Sequence, residues 1–390
     1  MDIFITGTGV VSAIGNNTNE NLAGLLSAKS GIKNQVYRET VQKYLGIVNR
    51  SDSELQHELG LDFSTSRTAL LGLKAAKEAW GNAPADSSIK SGVISGNSVG
   101  GMDFTEQHMM KLIEDGNSDG AHTLSAHPCG FSSQLIAKHL PEISFCNTIS
   151  TACSSGANSI LQAAQLIRAG RLDRVVAGGT DALSMFTIKG FSSLMLFDHD
   201  QCKPFDANRS GLNLGEGAGY IMLENEKSPA KSGNKILAKL SGYGIANDSY
   251  HQTSLSPEGK GAVMSMTQAL ANANLTPTEI DYVNTHGTAT ENNDEVELIA
   301  LKTVFNDQLP PFSSTKSYTG HTLGASGAIE AVYSVLAIQN NTVFPSLNIQ
   351  NHLDEDFPAI TQVEEREIQH VLSNSFGFGG NQTTLIISKA

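Results

Sequence analysis

The sequence predicts an α/β protein made of two related halves. Short runs rich in β-branched residues alternate along the chain with longer Ala-rich or amphipathic runs. This alternation is typical of mostly parallel, buried strands that helices cover in layers. In addition, "CSSGANSILQAAQLIRAG" at 153–170 is echoed by "LGASGAIEAVYSVLAIQN" at 323–340, and both place Ser-Gly-Ala at a helix start. An internal echo of this kind indicates a duplicated unit.

The individual elements follow in chain order. The opening "MDIFITGTGVVSAIG" predicts a strand, a Gly turn and the start of a helix. Further strands are predicted for "SGVISGNSVG", "RVVAGGTDA", "GYIMLEN" and "KILAKLSGYGIA". Helices are predicted for "TSRTALLGLKAAKEAW", "GANSILQAAQLIRAG", "GAVMSMTQALANANL" and "DEVELIALKTVF". The polar stretch at 225–234 is a plausible midpoint, so we divide the chain into the halves 1–230 and 231–390.

Composition excludes several classes of protein. The 390 residues carry a net charge of −13, which argues against a nucleic-acid binder because such proteins need a basic stripe. We find no run of about 18 apolar residues that would span a membrane, and no basic leader of the kind that opens a signal peptide. The four cysteines form no CxxC pair and no zinc spacing. We therefore expect a cytoplasmic protein with free thiols.

One cysteine lies where a predicted strand meets a predicted helix. The apolar run "ISFCNTI" leads into the small residues "STACSSG" at 150–156, and a helical pattern follows. The N-terminus of a helix favours a thiolate, and the N–H groups of such a turn can donate to an oxyanion. We therefore expect Cys153 to be a nucleophile and the fastest thiol to be alkylated near neutral pH. From the residues alone, a buried structural cysteine is almost as plausible.

Two histidines lie at similar junctions. His286 follows a strand-like run inside the loop "THGTAT", and His321 opens the Gly/Ser/Ala-rich helix of "GHTLGASGAIEA". Either histidine alone would more often be structural, but with Cys153 they form a set. A metal site is the weaker alternative, because metal ligands usually come in close pairs and these three residues lie far apart in sequence. We assign no metal ligand.

These segments together resemble one family. "TACSSGA", "THGTAT", "STKSYTGHTLGASGAIEA" and "SNSFGFGGN" occur in the order found in β-ketoacyl-ACP synthases. The chain is most similar to the elongating type II enzymes and to the related polyketide and aryl-polyene ketosynthases. The resemblance covers nearly all of the chain. It implies the thiolase fold, in which two α-β-α-β-α halves stack as five layers.

The resemblance also implies roles for individual residues. Cys153 matches the acyl-accepting nucleophile, and His286 and His321 match the pair that supports decarboxylation of malonyl-ACP. Lys316 and Glu330 match the charged residues beside the second histidine. The remaining matches are Asp294 as a supporting acid, Phe378 as the gate whose N–H forms the oxyanion hole with that of Cys153, Thr253, Thr288 and Thr290 as phosphopantetheine-binding residues, and Val99 and Phe191 as acyl-pocket residues.

The function implied is a decarboxylative Claisen condensation that extends an acyl chain on Cys153 by two carbons. The family requires no cofactor beyond the phosphopantetheine of acyl carrier protein (ACP). The expected partners are ACP and either a second copy of the chain or a homologous chain-length factor. A non-catalytic chain-length-factor-like subunit is the alternative, although such subunits typically lack the nucleophile. A degradative thiolase is disfavoured because "NSFGFGGNQ" offers no second cysteine.

The chain departs from the family pattern at three positions. Glu291 stands where the family often has proline. Asn381 and Gln382 stand where threonine and asparagine are usual. We expect these changes to affect the loop after "HGTAT" and the gating by Phe378.

Overall fold

Strands and helices are described for residues 1–116, 118–228, 233–306 and 308–390 of a computed structural model. The strands are β1 Ile3–Val11, β2 Lys33–Tyr37, β3 Val41–Gly46, β4 Ser91–Gly96, β5 Ile143–Ile149, β6 Arg174–Asp181, β7 Leu214–Gly215, β8 Gly217–Asn225, β9 Ala238–Asn247, β10 Tyr282–Asn284, β11 Phe312–Ser313, β12 Thr342–Val343, β13 Glu364–Glu365, β14 His370–Gly377 and β15 Asn381–Ser388. The predicted division at 230–231 lies outside the described residues.

The helices of the described residues flank these strands. They are α1 Thr18–Leu26, α2 Asp52–Leu59, α3 Arg67–Trp80, α4 Met102–Asp115, α5 Gly130–His139, α6 Ser155–Arg168, α7 Met185–Ser193, α8 Lys260–Ala273, α9 Glu291–Phe305, α10 Lys316–Thr319 and α11 Ser326–Asn340. Short 3-10 helices occupy Ala121–Ala126, Pro277–Glu279, Leu323–Ala325 and Phe378–Gly380. In the described part of the chain, no helix is both long and apolar enough to cross a membrane.

The main sheet contains the same five-strand topology twice. Within the described residues its order is β11-β10-β14-β15-β9-β1-β8-β6-β4-β5, and the β1–β9 pairing joins two sets of five. Numbered by chain order within each set, both sets run third, second, fourth, fifth, first. In each set the first two pairings are parallel and the next two are antiparallel. This repetition confirms the predicted duplicated α/β fold.

The expectation of a mostly parallel sheet is wrong. Counted over the described strands of the main sheet, four pairings are parallel and five are antiparallel. Helices cover both faces, so strands such as β8 are buried at every position whichever way they run. A continuous apolar run therefore reports burial on two faces and not strand direction.

The predicted Gly turn after the first strand is also wrong, because β1 continues to Val11. A Cβ added at Gly7 would lie 2.0 Å from the carbonyl oxygen of Ala79, and one at Gly9 would lie 2.0 Å from that of Ala75. These glycines let α3 lie directly against the strand. The helix begins only at Thr18.

The two helices that begin with the repeated Ser-Gly-Ala motif lie next to each other. Helices α6 and α11 pack against each other between the two sets of strands. A Cβ on Gly156 would lie 2.8 Å from the Cβ of Ala328, and a Cβ on Gly327 would lie 2.9 Å from that of Ala157. The contact is thus reciprocal, as expected of two copies related by a local twofold axis. It places the loops before both helices side by side.

Candidate active site

Cys153 lies on a sharp turn between β5 and α6. Ala152 adopts a positive φ of 53°, in the left-handed region. The Thr151 N–H donates to Ser155 Oγ at 2.9 Å, and that hydroxyl donates to the Ala152 carbonyl at 2.6 Å. A Cβ on Gly377, at the end of β14, would approach the Thr151 carbonyl to 2.7 Å. The end of β14 therefore closes directly over the turn that presents Cys153.

The Cys153 thiol is more deeply buried than the sequence suggested. Its exposed fraction is 5%, and burial raises its pKa to about 11, against the opposing effects of Lys316 and of a hydrogen bond from the Phe378 N–H. Burial thus opposes the thiolate that the helix N-terminus would favour, and the expectation that Cys153 is the fastest thiol to be alkylated stays a prediction. Cys146, on the edge strand β5, is the exposed cysteine.

His321 presents an N–H group to the site. Its Nδ1 accepts a hydrogen bond from the Leu323 N–H at 3.1 Å and lies 3.0 Å from Ser326 Oγ. Because a backbone N–H can only donate, the ring proton belongs on Nε2. Burial, reinforced by the charge of Lys316, holds the pKa of His321 well below its usual range. The imidazole is thus neutral and a fixed donor.

His286 is oriented in the same sense by a different neighbour. Its Nδ1 lies 3.2 Å from Lys316 Nζ, which also donates to the His286 carbonyl at 2.5 Å. An ammonium has only donors, so Nδ1 accepts and Nε2 carries the proton. Burial, Lys316 and His321 lower the pKa of His286 far below its usual range. The two rings lie edge to face, with centroids 5.4 Å apart and planes at 86°.

Lys316 is balanced by Glu330 in the protein interior. Both side chains are almost fully buried and form a direct ion pair. Burial raises the pKa of Glu330 to about 7, although the neighbouring ammonium opposes the rise. An isolated buried ammonium would be costly, and the ion pair with Glu330 offsets that cost and holds Lys316 beside His286. The structure thus connects four of the predicted catalytic side chains, those of Lys316, Glu330, His286 and His321, and Cys153 lines the same cavity as the two histidines.

Two buried carboxylates that no sequence pattern indicated hold the loops that carry or border the predicted catalytic residues. Glu297 on α9 accepts the N–H groups of His286 and Gly287, each at 2.8 Å. Asp181 at the end of β6 accepts the N–H of Ser98 at 2.8 Å and that of Gly324 at 2.7 Å. Burial raises the pKa of each carboxyl to about 7. Each carboxylate fixes backbone that borders the site.

A cavity of about 360 Å³ joins Cys153, His286 and His321 to the surface. Its lining includes the sequence-predicted residues Cys153, His286, His321, Thr253, Thr288 and Thr290. The predicted supporting residue Asp294 lies behind this wall, where it accepts the N–H groups of Phe205 at 2.9 Å and Ala289 at 3.1 Å. Asp294 therefore holds the loop that contains Thr288 and Thr290 next to Phe205 of the same chain, and it does not line the cavity.

A second cavity of about 420 Å³ opens on the other side of Cys153. Val99 and Phe191 line it, as the acyl-pocket assignment expects. The rings of Phe191 and Phe378 stack at 5.7 Å, and both residues line both cavities. The aromatic pair therefore stands at the junction where the two cavities meet at Cys153.

The residues that depart from the family pattern lie at the first cavity and beside the loop of Phe378. Glu291 lines the cavity of about 360 Å³. Gln382 donates from Nε2 to Asp248 Oδ2 at 2.9 Å, and the Gly379 N–H donates to the Gln252 carbonyl at 2.8 Å. These bonds tie the loop of Phe378 to residues 248–252. Among the described residues, no three His, Cys, Asp or Glu side chains are grouped to hold a metal ion.

Family models account for most of the chain. The model of the β-ketoacyl synthase N-terminal domain matches residues 1–228, and that of the C-terminal domain matches residues 237–350. This chain belongs to the β-ketoacyl synthase family. The first model contains Cys153, and the second contains both histidines. The family resemblance that the motifs indicated is confirmed.

Relatives and solved structures match the β-ketoacyl synthase chain over its full length. It is 33% identical to 3-oxoacyl-[acyl-carrier-protein] synthase 2 of Coxiella burnetii, over 99% of this chain and 98% of that protein. The ishigamide ketosynthase/chain length factor superposes with a TM-score of 0.91 at 27% identity, over 100% and 99% of the chains. The ketosynthase ApeO in complex with its chain length factor ApeC from Xenorhabdus doucetiae gives 0.87 at 31% identity, over 100% and 98%. The predicted thiolase fold is confirmed.

Proposed function

We propose that this β-ketoacyl synthase is a catalytically complete condensing enzyme that joins an acyl group on Cys153 to a two-carbon unit from malonyl-ACP. The observation that carries the proposal is the convergence of Cys153, His286 and His321 on one cavity, with a second, apolar cavity behind the thiol. A non-catalytic subunit would have no use for two neutral imidazoles held as donors at a buried thiol.

The first half-reaction transfers the acyl group to the enzyme. Cys153 Sγ attacks the thioester carbonyl of acyl-ACP, and the N–H groups of Cys153 and Phe378 receive the oxyanion. A Cβ on Gly377, the residue before Phe378, would lie 3.3 Å from the Cys153 nitrogen, so the two N–H groups lie on neighbouring stretches of backbone. When the tetrahedral intermediate collapses, the C–S bond to ACP breaks. The phosphopantetheine thiol departs with the proton that Cys153 has lost.

The second half-reaction forms the new carbon–carbon bond. The thioester oxygen of malonyl-ACP accepts hydrogen bonds from Nε2 of His286 and His321. As CO2 leaves, its bonding electrons form an enolate that these two donors stabilise. The enolate carbon attacks the acyl-Cys153 carbonyl, and the tetrahedral oxyanion collapses with cleavage of the C–S bond. This releases β-ketoacyl-ACP and the Cys153 thiolate, which takes a proton from solvent to restore the thiol. These steps use only the chain and the phosphopantetheine arm, held by Thr253, Thr288 and Thr290, and we propose that no further cofactor is required.

Two surface features support a partner for this enzyme. Strand β5 is an edge of the main sheet and is not fully buried at any position, so its outer backbone groups are open to pairing. Helix α4 exposes three large apolar side chains, Met109, Met110 and Ile113. We propose a dimer through this side, with a second copy or with a homologous chain-length factor, and ACP as the substrate carrier. All four cysteines are free, which is compatible with the proposed cytoplasmic location.

A reconstituted condensation tests the proposal. Purified protein is mixed with octanoyl-ACP and malonyl-ACP, and the ACP products are identified by mass spectrometry. The proposal predicts 3-oxodecanoyl-ACP with wild-type protein and none with Cys153→Ala. A chain-length-factor-like subunit would give no product in either sample, whether alone or mixed with a homologue that lacks the cysteine.

A further inference from the structure

Helix α7 forms one wall of the second cavity, which has a volume of about 420 Å³ and opens beside Cys153. Two aromatic side chains of this helix, Phe186 and Phe191, line that cavity. Phe186 lines only the second cavity, whereas Phe191 also lines the first. The position of α7 therefore sets how much room an acyl chain has beyond Cys153.

Packing holds α7 only loosely along its length. Of its nine residues, only Thr187 and Ile188 are buried, whereas α6 buries ten of its fourteen. A Cβ added at Gly190, in the middle of α7, would meet no atom within 4 Å. The contacts at the end of the helix must therefore contribute much of what fixes its position.

The N-terminus of α7 is held by a carboxylate from another helix. The first turn of a helix has N–H groups without partners inside the helix. Glu106 of α4 accepts the N–H of Met185 through Oε1 at 2.8 Å and that of Phe186 through Oε2 at 3.1 Å. The next N–H group, that of Thr187, donates to Ser184 Oγ at 3.1 Å. The negative charge of Glu106 also suits the positive end of the helix dipole.

Glu106 is itself fixed by a cation. Arg38, the residue that follows strand β2, forms an ion pair with Glu106 Oε1 and donates from Nη2 to the Asp103 carbonyl at 2.8 Å. The Glu106 side chain has an exposed fraction of only 13%, so water competes little for its two oxygens. Arg38 therefore holds Glu106 beside the first turn of α7, and Glu106 makes the contact with that turn.

We propose that Glu106 is a positioning residue for the acyl group, because it fixes the first turn of the helix that carries Phe186 and Phe191. The inference rests on the proposed condensing function, in which the acyl chain on Cys153 lies in the second cavity. Glu106 is not among the described residues that line either cavity. Its removal therefore impairs the transfer of acyl chains long enough to reach α7, and spares an acetyl group, which ends one carbon beyond the thioester carbonyl.

Two acyl donors of different length test the positioning role. Cys153 acylation from octanoyl-ACP and from acetyl-ACP is followed by intact-mass spectrometry. In Glu106→Ala, which removes both acceptor oxygens, we expect the octanoyl rate to fall roughly tenfold and the acetyl rate by less than about twofold. Glu106→Gln keeps one acceptor oxygen and should give an intermediate octanoyl rate. Glu114→Ala is the matched control, because it removes an exposed carboxylate from the same helix, and both rates should stay as in the wild type.

Hydrogen exchange follows the contact itself and does not depend on catalysis. In Glu106→Ala the amide protons of the segment 184–191 should exchange roughly tenfold faster than in the wild type, while those of α6 keep their rates. Unchanged exchange in 184–191, or equal losses of octanoyl and acetyl transfer, overturns the positioning role and leaves the condensing function standing. If neither ACP acylates the wild-type protein, the proposed function fails and the inference fails with it.

Discussion

The turns that precede helices α6 and α11, at the centre of the molecule, have the same backbone conformation, but the residues they carry have different proposed roles. Ala152 and Leu323 each adopt positive φ, 53° and 52°, three residues before α6 and α11 begin. In this register Cys153 of the first turn corresponds to Gly324 of the second. Both halves contain this turn, but only the first half has a side chain at the corresponding position.

The strands that lead into these two turns differ in length. In the first half β5 runs over Ile143–Ile149 almost directly into the turn. In the second half the corresponding β11 has only two residues, and the chain then forms α10, which carries Lys316, before reaching His321. The shorter strand leaves room for Lys316 and His321. In the proposed function the first half supplies the nucleophile, and the second supplies the donors that stabilise negative charge.

The largest effect is expected from replacing the cysteine in the first of the two turns. Cys153→Ser keeps the size of the side chain but replaces the nucleophile with a much weaker one, so acyl transfer should fall by about 10³-fold or more. Decarboxylation of malonyl-ACP should persist, because His286 and His321 are untouched. Acylation is measured by intact mass and decarboxylation by conversion of malonyl-ACP to acetyl-ACP. A Cys153→Ser protein that still forms an acyl-enzyme would contradict the division of tasks.

The next effect removes the contribution of the second half. His321→Ala deletes one of two donors to the thioester oxygen, so decarboxylation should fall by roughly 10²–10³-fold. Cys153 should still be acylated, since its oxyanion donors belong to the backbone. The same two assays apply, with His286→Ala as a parallel case. The opposite pattern in His321→Ala, with acylation lost and decarboxylation intact, would show that the roles have been exchanged.

A smaller effect concerns the glycine that replaces the nucleophile in the second turn. A Cβ on Gly324 would lie 2.8 Å from Asp181 Oδ2 and 2.9 Å from the Cα of Asn97. Gly324→Ala should therefore lower the free energy of unfolding by about 1–3 kcal/mol in urea denaturation. Gly190→Ala is the matched control, because its added Cβ meets no atom within 4 Å. If both variants unfold at the same urea midpoint, the turn that contains Gly324 is not as tightly packed as the distances from its added Cβ indicate.

The smallest effect compares the loops that follow the second strand of each half. The loop after β4 carries Val99, and the loop after β10 carries His286. Val99→Phe overfills the apolar cavity, so the preference for long over short acyl chains should shift about tenfold, by roughly 1–2 kcal/mol. Acetyl-level acylation should remain. Intact-mass analysis across a chain-length panel measures the shift, and an unchanged profile would remove Val99 from the acyl wall.

The sequence was sufficient for residues that carry their own local signal. Cys153, His286 and His321 each follow a strand-like run and stand among small residues, and Ser-Gly-Ala marks both central helices. The structure brings these predicted residues together. The roles assigned to them remain predictions that the assays above address.

Other features depend on tertiary packing and leave no local pattern. Glu297 lies in "DEVELIA", where a charged residue ordinarily indicates a solvated helix face, yet it is buried and holds the His286 loop. Strand direction was hidden by burial on both faces. The pKa of Cys153 reflects how completely β14 covers the turn, and that contact joins residues far apart in sequence.

The most direct test of the central claim is an acylation and chase on the wild-type protein. Octanoyl-ACP is added first, the acylated peptide is mapped by mass spectrometry, and malonyl-ACP is then added to the same sample. The account predicts a single octanoyl group on the peptide that contains Cys153, and its loss in step with the appearance of 3-oxodecanoyl-ACP. An octanoyl group on Cys129, Cys146 or Cys202, or one on Cys153 that malonyl-ACP does not remove, would contradict it.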